Sequence, residues 1–333
     1  MISRLQVQNY RVLRDIDCSL ERFTCIVGPN GCGKSTILEV LEAALLSQGE
    51  GSSSLEPFRI SLGFSFRPDK GLIWKEIVLK QKVISVKWSM EASDPNSDLA
   101  EKFKDMMSEA RPNAPLVCVQ PRFSLETLKA TSSVALSPDA LPVDGTGLAG
   151  LLADWKLEDD PRFLRVQQQL EKVVPQVRGL FPRRDRNSYQ LFFLVGPEKK
   201  KIPAHAMSTG TLYTLALLVL LESLEQRSVL LLVDDLDRDL HPEAQGVLVG
   251  HLRGLLELNP ELQIIATSHS PYLVDHFLGS EVLVMALDHE GYGCISPMMA
   301  HPDYHRLGKA MQPGEFWSAV GERWVSTKGG QTP

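Results

Sequence analysis

The residues Gly28-Pro29-Asn30-Gly31-Cys32-Gly33-Lys34-Ser35 fit G-x-x-x-x-G-K-[ST] in full. Glycines at these positions let backbone N–H groups turn inward around phosphate oxygens, and the start of the following helix adds partial positive charge. Lys34 is expected to neutralise the β- and γ-phosphates of ATP, and Ser35 to ligate Mg²⁺, with Thr36 completing the nucleotide-binding run. A second set lies far downstream. Leu230-Leu231-Leu232-Val233-Asp234-Asp235 is an apolar run that ends in two carboxylates. Asp234 is expected to hold Mg²⁺ through water at the carboxyl end of a strand, and Asp235 to polarise the water that attacks the γ-phosphate. His269, in Thr267-Ser268-His269-Ser270-Pro271, follows a further apolar run and suits a hydrogen bond to the γ-phosphate. Lys34, Asp235 and His269 are thus the expected catalytic residues. Met207-Ser208-Thr209-Gly210-Thr211 opens an apolar helix. S-x-G before a helix is often only a cap, but its hydroxyl and N–H groups also suit a phosphate presented by another subunit.

These residues need strands that end where helices begin. Residues 2–9 and 22–27 read as strands, the second running straight into the glycine loop. Ile37, Leu38, Val40, Leu41 and Leu45 then follow a helical period. Ser47 to Ser54 has the composition of a surface loop. Three β-rich runs between Phe58 and Met90, parted by Pro68 to Gly71 and Lys80 to Lys82, predict an antiparallel sheet. Residues 97–110 read as a polar helix, 124–143 as loop, and 147–180 as helical, with Leu148, Leu151, Leu152, Trp155, Phe163, Leu164, Val166, Leu170, Val173 and Val174 on the apolar face. Tyr189 to Val195 reads as a strand and Ser208 to Leu224 as a helix. The remainder alternates: strand 229–233, helix 242–257, strand 262–267, a short helix after Pro271, and strand 281–287. Such alternation predicts an α/β fold with a mainly parallel sheet.

Composition removes several classes. The chain has 333 residues, 43% hydrophobic and 23% charged, enough for a buried core. No apolar stretch approaches the length of a membrane span, and Met1 to Val7 alternates like a strand instead of forming a signal-peptide core. A soluble, cytoplasmic protein is expected. The net charge of −6 argues against indiscriminate nucleic-acid binding. Five cysteines, Cys18, Cys25, Cys32, Cys118 and Cys294, show no C-x-x-C and read as reduced thiols. His301 and His305 stand at i, i+4 beside Asp303, too few ligands for a metal site.

In their order along the chain these motifs resemble the ABC-type ATPase heads of the RecF/SMC/OLD group, especially its short AAA-type members without a TOPRIM domain. The resemblance rests on Asn9-Tyr10-Arg11-Val12-Leu13, the glycine loop, Asp144 to Leu148, Ile202 to Ala204, Ser208-Thr209-Gly210-Thr211, Asp234 to Pro242 and His269. It implies a single P-loop ATPase head over 1–333. A nucleotide-binding lobe would comprise 1–48 and 228–300, an antiparallel β-subdomain 58–90, a helical signature lobe 145–225, and a C-terminal extension 301–333. It adds Arg11 to the nucleotide contacts. It makes Ser208, Thr209 and Gly210 a signature that meets the partner's nucleotide in trans, so that ATP closes a homodimer and hydrolysis opens it. Two departures stand out. Asp235 occupies the place where the family usually has Glu, one methylene shorter, which predicts slow turnover. Tyr213 stands where many relatives carry a basic residue. Gln81 and Gln120 are both candidates for the glutamine that links the lobes.

The implied setting is DNA repair, genome maintenance or anti-phage defence, with a partner effector. The alternative is an ATP-dependent scaffold that does not hydrolyse. Too little chain follows Leu287 for a TOPRIM nuclease, and Leu236-Asp237-Arg238 departs from the transporter pattern. Arg183, Arg184 and Arg186 with Lys199, Lys200 and Lys201 flank the strand Tyr189 to Val195. A hairpin bringing the two clusters together would suit a DNA backbone.

Overall fold

The computed structural model describes residues 1–46, 58–65, 72–80, 83–91, 117–134, 138–224, 228–308 and 310–326. The surface loop expected over 47–54, the polar helix over 97–110, and Gln81 lie outside them. The strands, in chain order, are β1 (Ile2–Tyr10), β2 (Leu13–Ser19), β3 (Phe23–Val27), β4 (Phe58–Ser65), β5 (Leu72–Lys80), β6 (Val83–Glu91), β7 (Val117–Val119), β8 (Ser132–Ser133), β9 (Val177–Asp185), β10 (Ser188–Val195), β11 (Lys200–Pro203), β12 (Val229–Val233), β13 (Leu262–Ser268), β14 (Val282–Leu287) and β15 (Gly293–Pro297).

The chain divides into two compact units. The first comprises Met1–Val119, Arg227–Leu236 and Leu256–Pro333. Among the described residues its sheet has eleven strands in the order β6-β5-β4-β1-β2-β15-β14-β3-β13-β12-β7. Strands β7, β12, β13, β3 and β14 run parallel. Every residue of β3, β12 and β13 is buried, as expected of parallel strands covered on both faces. Their register pairs Val233 with Ala266, and Ser268 with Val27. The carboxyl ends of β12, β13 and β3 therefore finish side by side, where α/β sheets bind ligands. Strands β4, β5 and β6 form the expected antiparallel run and extend the same sheet by pairing β4 with β1. The helix Lys34–Leu46 buries Ile37, Leu38, Val40, Leu41 and Ala44 in a core shared with Leu5, Val7, Leu13 and Ile26.

The second unit comprises Gln120–Gln226 and Asp237–Leu255. At its centre the helix Thr209–Ser223 is apolar on every side and nearly wholly buried, which removes any amphipathic stripe. The stretch 147–180 is not one helical region. It forms helices Leu148–Leu157 and Pro161–Val173, then enters β9. Asp159 takes a left-handed φ of 53°. Asp160 then caps the second helix, with Pro161 in its first turn, a combination that restarts a helix. Leu164 is 57% exposed and so is not on the buried face. Strands β9, β10 and β11 form an antiparallel meander, and β8 pairs with the start of β10 at Ser188 and Tyr189. Among the described residues, no helix is long and apolar enough to cross a membrane.

Candidate functional site

The loop after β3 is built by glycines in conformations closed to other residues. Gly28 has φ +148°, and a Cβ there would lie 2.4 Å from the carbonyl oxygen of Met285 in β14. Gly33 has φ +104°, and its Cβ would meet Leu13 and Val12 within 3 Å. Pro29, Asn30 and Gly31 form an exposed tip, while Cys32, Gly33 and Lys34 are buried beneath it. The Lys34 ammonium folds into the loop and donates to the carbonyls of Gly28 and Pro29, both at 2.9 Å. Burial pushes the Cys32 thiol above its ordinary range, and the neighbouring Lys34 charge only partly offsets this.

Ser35 opens the helix and donates from Oγ to Asp234 Oδ1 at 3.1 Å. Thr267 Oγ1 donates to the same oxygen at 2.6 Å. The backbone N–H of Asp235 donates to Thr267 Oγ1 at 2.9 Å. Asp235 itself has φ +53°, a left-handed position that Asp tolerates better than most residues. His269 Nε2 lies 3.9 Å from Asp235 Oδ1, with both side chains more than a third exposed. Thr36 is half-buried in the first turn. Arg11, at φ +52°, ion-pairs with Glu39 of the glycine-loop helix and lies over the Tyr10 ring at 5.5 Å. Expected site residues from β3, β12 and β13 are thus brought together at the carboxyl ends of these strands. The loop has the open backbone of a polyphosphate cradle, and Ser35 with Asp234 forms the hard oxygen pair that suits Mg²⁺.

The second unit carries the residues expected to form the signature. Ser208 is exposed and caps the Thr209–Ser223 helix. Its Oγ accepts from the Thr211 N–H at 3.4 Å and shares a hydrogen bond with Thr211 Oγ1 at 2.8 Å. Gly210 is required by close approach, because a Cβ there would stand 2.3 Å from the Asp239 carbonyl oxygen. The Arg238 guanidinium lies 5.5 Å from the ring centroid of Tyr213. Gln120 is buried and accepts from Arg122 at 3.4 Å.

The basic clusters do not converge. Arg183 and Arg184 pair with Gln190 and Tyr189, whereas Lys200 and Lys201 pair with Val195 and Leu194. At about 3.4 Å per residue, the length of β10 separates them. The antiparallel meander sends one cluster to each end of its central strand, and Lys201 is further tied over the Phe181 ring at 3.9 Å. His301 is buried between the rings of Phe316 and Trp324, and its Nδ1 accepts from the Asp303 N–H. Among the described residues, no group of three His, Cys, Asp or Glu could hold a metal ion.

Comparison with known proteins gives matches to two family models. Residues 1–109 match the model described as "AAA ATPase domain". Residues 127–275 match the model described as "AAA domain, putative AbiEii toxin, Type IV TA system". The chain is 50% identical over 64 residues to an OLD nuclease of Thermus scotoductus, a stretch covering 19% of this chain and 12% of the relative. It is 36% identical over 61 residues to the Septu protein PtuA of Bacillus thuringiensis, covering 18% of this chain and 15% of that protein. It thus spans only a small part of either relative's length. Among solved structures, the Smc head domain of Pyrococcus furiosus, with an extended coiled coil and bound to the C-terminal domain of ScpA, superposes with a TM-score of 0.54 at 12% identity. That match covers 89% of this chain and 95% of the other, and establishes likeness of fold.

Proposed function

We propose that this chain is an ABC-type ATPase head of the RecF/SMC/OLD group, as its matches to AAA ATPase models and to an OLD nuclease support, and that it binds ATP with Mg²⁺ and hydrolyses the nucleotide slowly. The observation that carries this reading is the hydrogen bond from Ser35 to Asp234, which joins two motifs 199 residues apart into one oxygen pair. Gly28 to Thr36 would cradle the phosphates, with Arg11 beside them. Lys34 would exchange its two loop carbonyls for phosphate oxygens, keeping its charge satisfied in a buried place. Ser35 and Asp234 would hold Mg²⁺, which supplies neutralisation of phosphate charge when bound. Asp235 would orient the attacking water and take its proton at a carboxylate oxygen. His269, beside that carboxylate, would steady the phosphate end of the site.

Ser208, Thr209 and Gly210 would complete the partner's site in an ATP-linked homodimer. The exposure of Ser208 supports this. The head would act in the cytoplasm in DNA repair, genome maintenance or anti-phage defence, alongside an effector protein. Its short stretches of likeness to an OLD nuclease and to PtuA favour defence. Arg183, Arg184 and Arg186 at one end of β10, and Lys199, Lys200 and Lys201 at the other, would touch DNA as two separate patches. Phosphate release by the wild type, Lys34→Ala and Asp235→Asn tests the enzymatic reading. Turnover in the wild type alone supports it. ATP binding without turnover in any of them transfers the protein to the scaffold reading.

A further inference from the structure

Thr267 lies at the end of β13 and is fully buried, 0% exposed. Its hydroxyl makes two bonds in opposite senses, donating to Asp234 Oδ1 at 2.6 Å and accepting from the Asp235 N–H at 2.9 Å. Its backbone carbonyl accepts from the Leu236 N–H at 3.0 Å. One residue of β13 thus holds three consecutive residues of the turn that leaves β12. That turn needs holding, because Asp235 occupies a left-handed conformation in which a non-glycine residue is strained.

The bond to Asp234 also has a directional consequence. Asp234 Oδ1 receives hydrogen bonds from both Ser35 and Thr267. Two donors on one carboxylate oxygen fix the plane of the group and its rotation about the Cβ–Cγ bond. Valine would fill the same space as Thr267 but would leave the half-buried Asp235 N–H without this acceptor. A role confined to packing would accept that change.

We infer that Thr267 is the positioning residue of this site. Its hydroxyl sets the orientation of the Mg²⁺-holding Asp234 and the backbone turn that aims Asp235. The inference rests on the ATPase reading given above and deepens it. Thr267 acts through its neighbours, without contact to nucleotide. Its loss should therefore alter how binding depends on metal and leave metal-free nucleotide affinity alone.

The test compares wild type, Thr267→Val, Thr267→Ser and Thr267→Cys. Binding of a fluorescent ATP analogue is titrated at a series of Mg²⁺ concentrations and in EDTA, and phosphate release is measured separately. Thr267→Val should raise the Mg²⁺ concentration for half-maximal binding, and lower turnover, each by roughly 10- to 100-fold, the usual cost of losing a partner that orients a metal ligand. Affinity in EDTA should stay within about twofold, since Lys34 and the loop are untouched. Thr267→Ser keeps the hydroxyl and should recover most of both losses. Thr267→Cys keeps the size with a weaker donor and acceptor and should fall between them. If Thr267→Val does not fold, the Ser–Cys pair carries the comparison. Unchanged Mg²⁺ dependence in Val and Cys overturns the inference, as does a Ser variant as impaired as Cys. Failure of the wild type to bind nucleotide would instead remove the ATPase reading, so the two failures are separable.

Discussion

The carboxyl ends of β3, β12 and β13 and the start of the Thr209–Ser223 helix both carry residues that suit phosphate, but they are built differently. At the strand ends the polar groups already bind one another: Lys34 its loop carbonyls, Ser35 and Thr267 the Asp234 carboxylate, and the Asp235 N–H the Thr267 hydroxyl. Fully buried parallel strands fix where each group starts. At the helix start, Ser208 is exposed and bonds only within its own first turn among the contacts described. The first region has the construction of a site assembled within one chain. The second is an exposed helix cap, the place proposed above for a partner's nucleotide.

The comparison breaks most directly at Lys34. On the proposed reading its ammonium trades its two loop carbonyls for phosphate oxygens, and a charge-assisted bond is worth about 1.5–3 kcal/mol where the partner is well placed. Lys34→Ala should weaken ATP binding by about 10³-fold in a calorimetric titration of folded protein, and unchanged affinity would remove the loop from the site. Asp235→Asn comes next. Asparagine tolerates the left-handed backbone as aspartate does, so the fold should hold while phosphate release drops about 10²-fold or more. Asp235→Glu restores reach but suits φ +53° less well. Turnover at or above wild type, with a small loss in melting temperature, is the expected pair of results.

The helix start is sharpened by two variants that should behave oppositely. Gly210→Ala drives a methyl into the Asp239 carbonyl and should cost about 1–3 kcal/mol of stability in denaturant unfolding, as overpacking does. Ser208→Arg changes an exposed residue and should shift stability by less than about 1 kcal/mol, a lost cap at most. In the Asp235→Asn background with Mg²⁺-ATP, Ser208→Arg should nonetheless abolish the monomer-to-dimer shift in light scattering. If ATP-driven association survives Ser208→Arg, the helix start is an ordinary cap.

The same contrast explains what could be read in advance. Residues at the ends of β3, β12 and β13 announce themselves because each follows a continuous apolar run, and strand ends are where that signal stops. Strand β2 was missed because Arg14, Asp15 and Asp17 interrupt its apolar residues, which are Leu13, Ile16 and Cys18. The helical reading of 147–180 runs into the start of β9, although Pro175 follows Val174 and a residue before proline is pushed out of the helical region. The expectation that the basic clusters converge follows from missing β9, since without it the meander has no register. The hydrogen bonds of Thr267 are beyond a linear reading: its partners in the turn after β12 lie more than thirty residues away, and only the parallel register of β12 and β13 brings them to it.

The smallest effect lies in the second unit, at the restart between its first two long helices. Asp160 caps Pro161–Val173 by accepting from the Arg162 N–H at 2.8 Å, and its carboxylate also takes two bonds from the Arg162 guanidinium. That guanidinium stacks on Trp155 at 4.6 Å, so the cap also ties the two helices together. Asp160→Ala should cost about 1 kcal/mol, the usual price of a lost cap. The Arg162 side chain holds the Asp160 carboxyl below its ordinary range, with the Arg162 N–H adding to the effect and burial opposing it. A carboxyl depressed in the folded state stabilises above the unfolded pKa, and the gain is lost as pH falls through the folded one. Asp160→Asn keeps a good cap but carries no charge. Its deficit relative to wild type should therefore be present at neutral pH and shrink as the pH is lowered below about 4, near the unfolded carboxyl value. A deficit independent of pH across urea melts from pH 6 to pH 3 would mean that the Arg162 pairing contributes nothing and that only the backbone cap holds this restart.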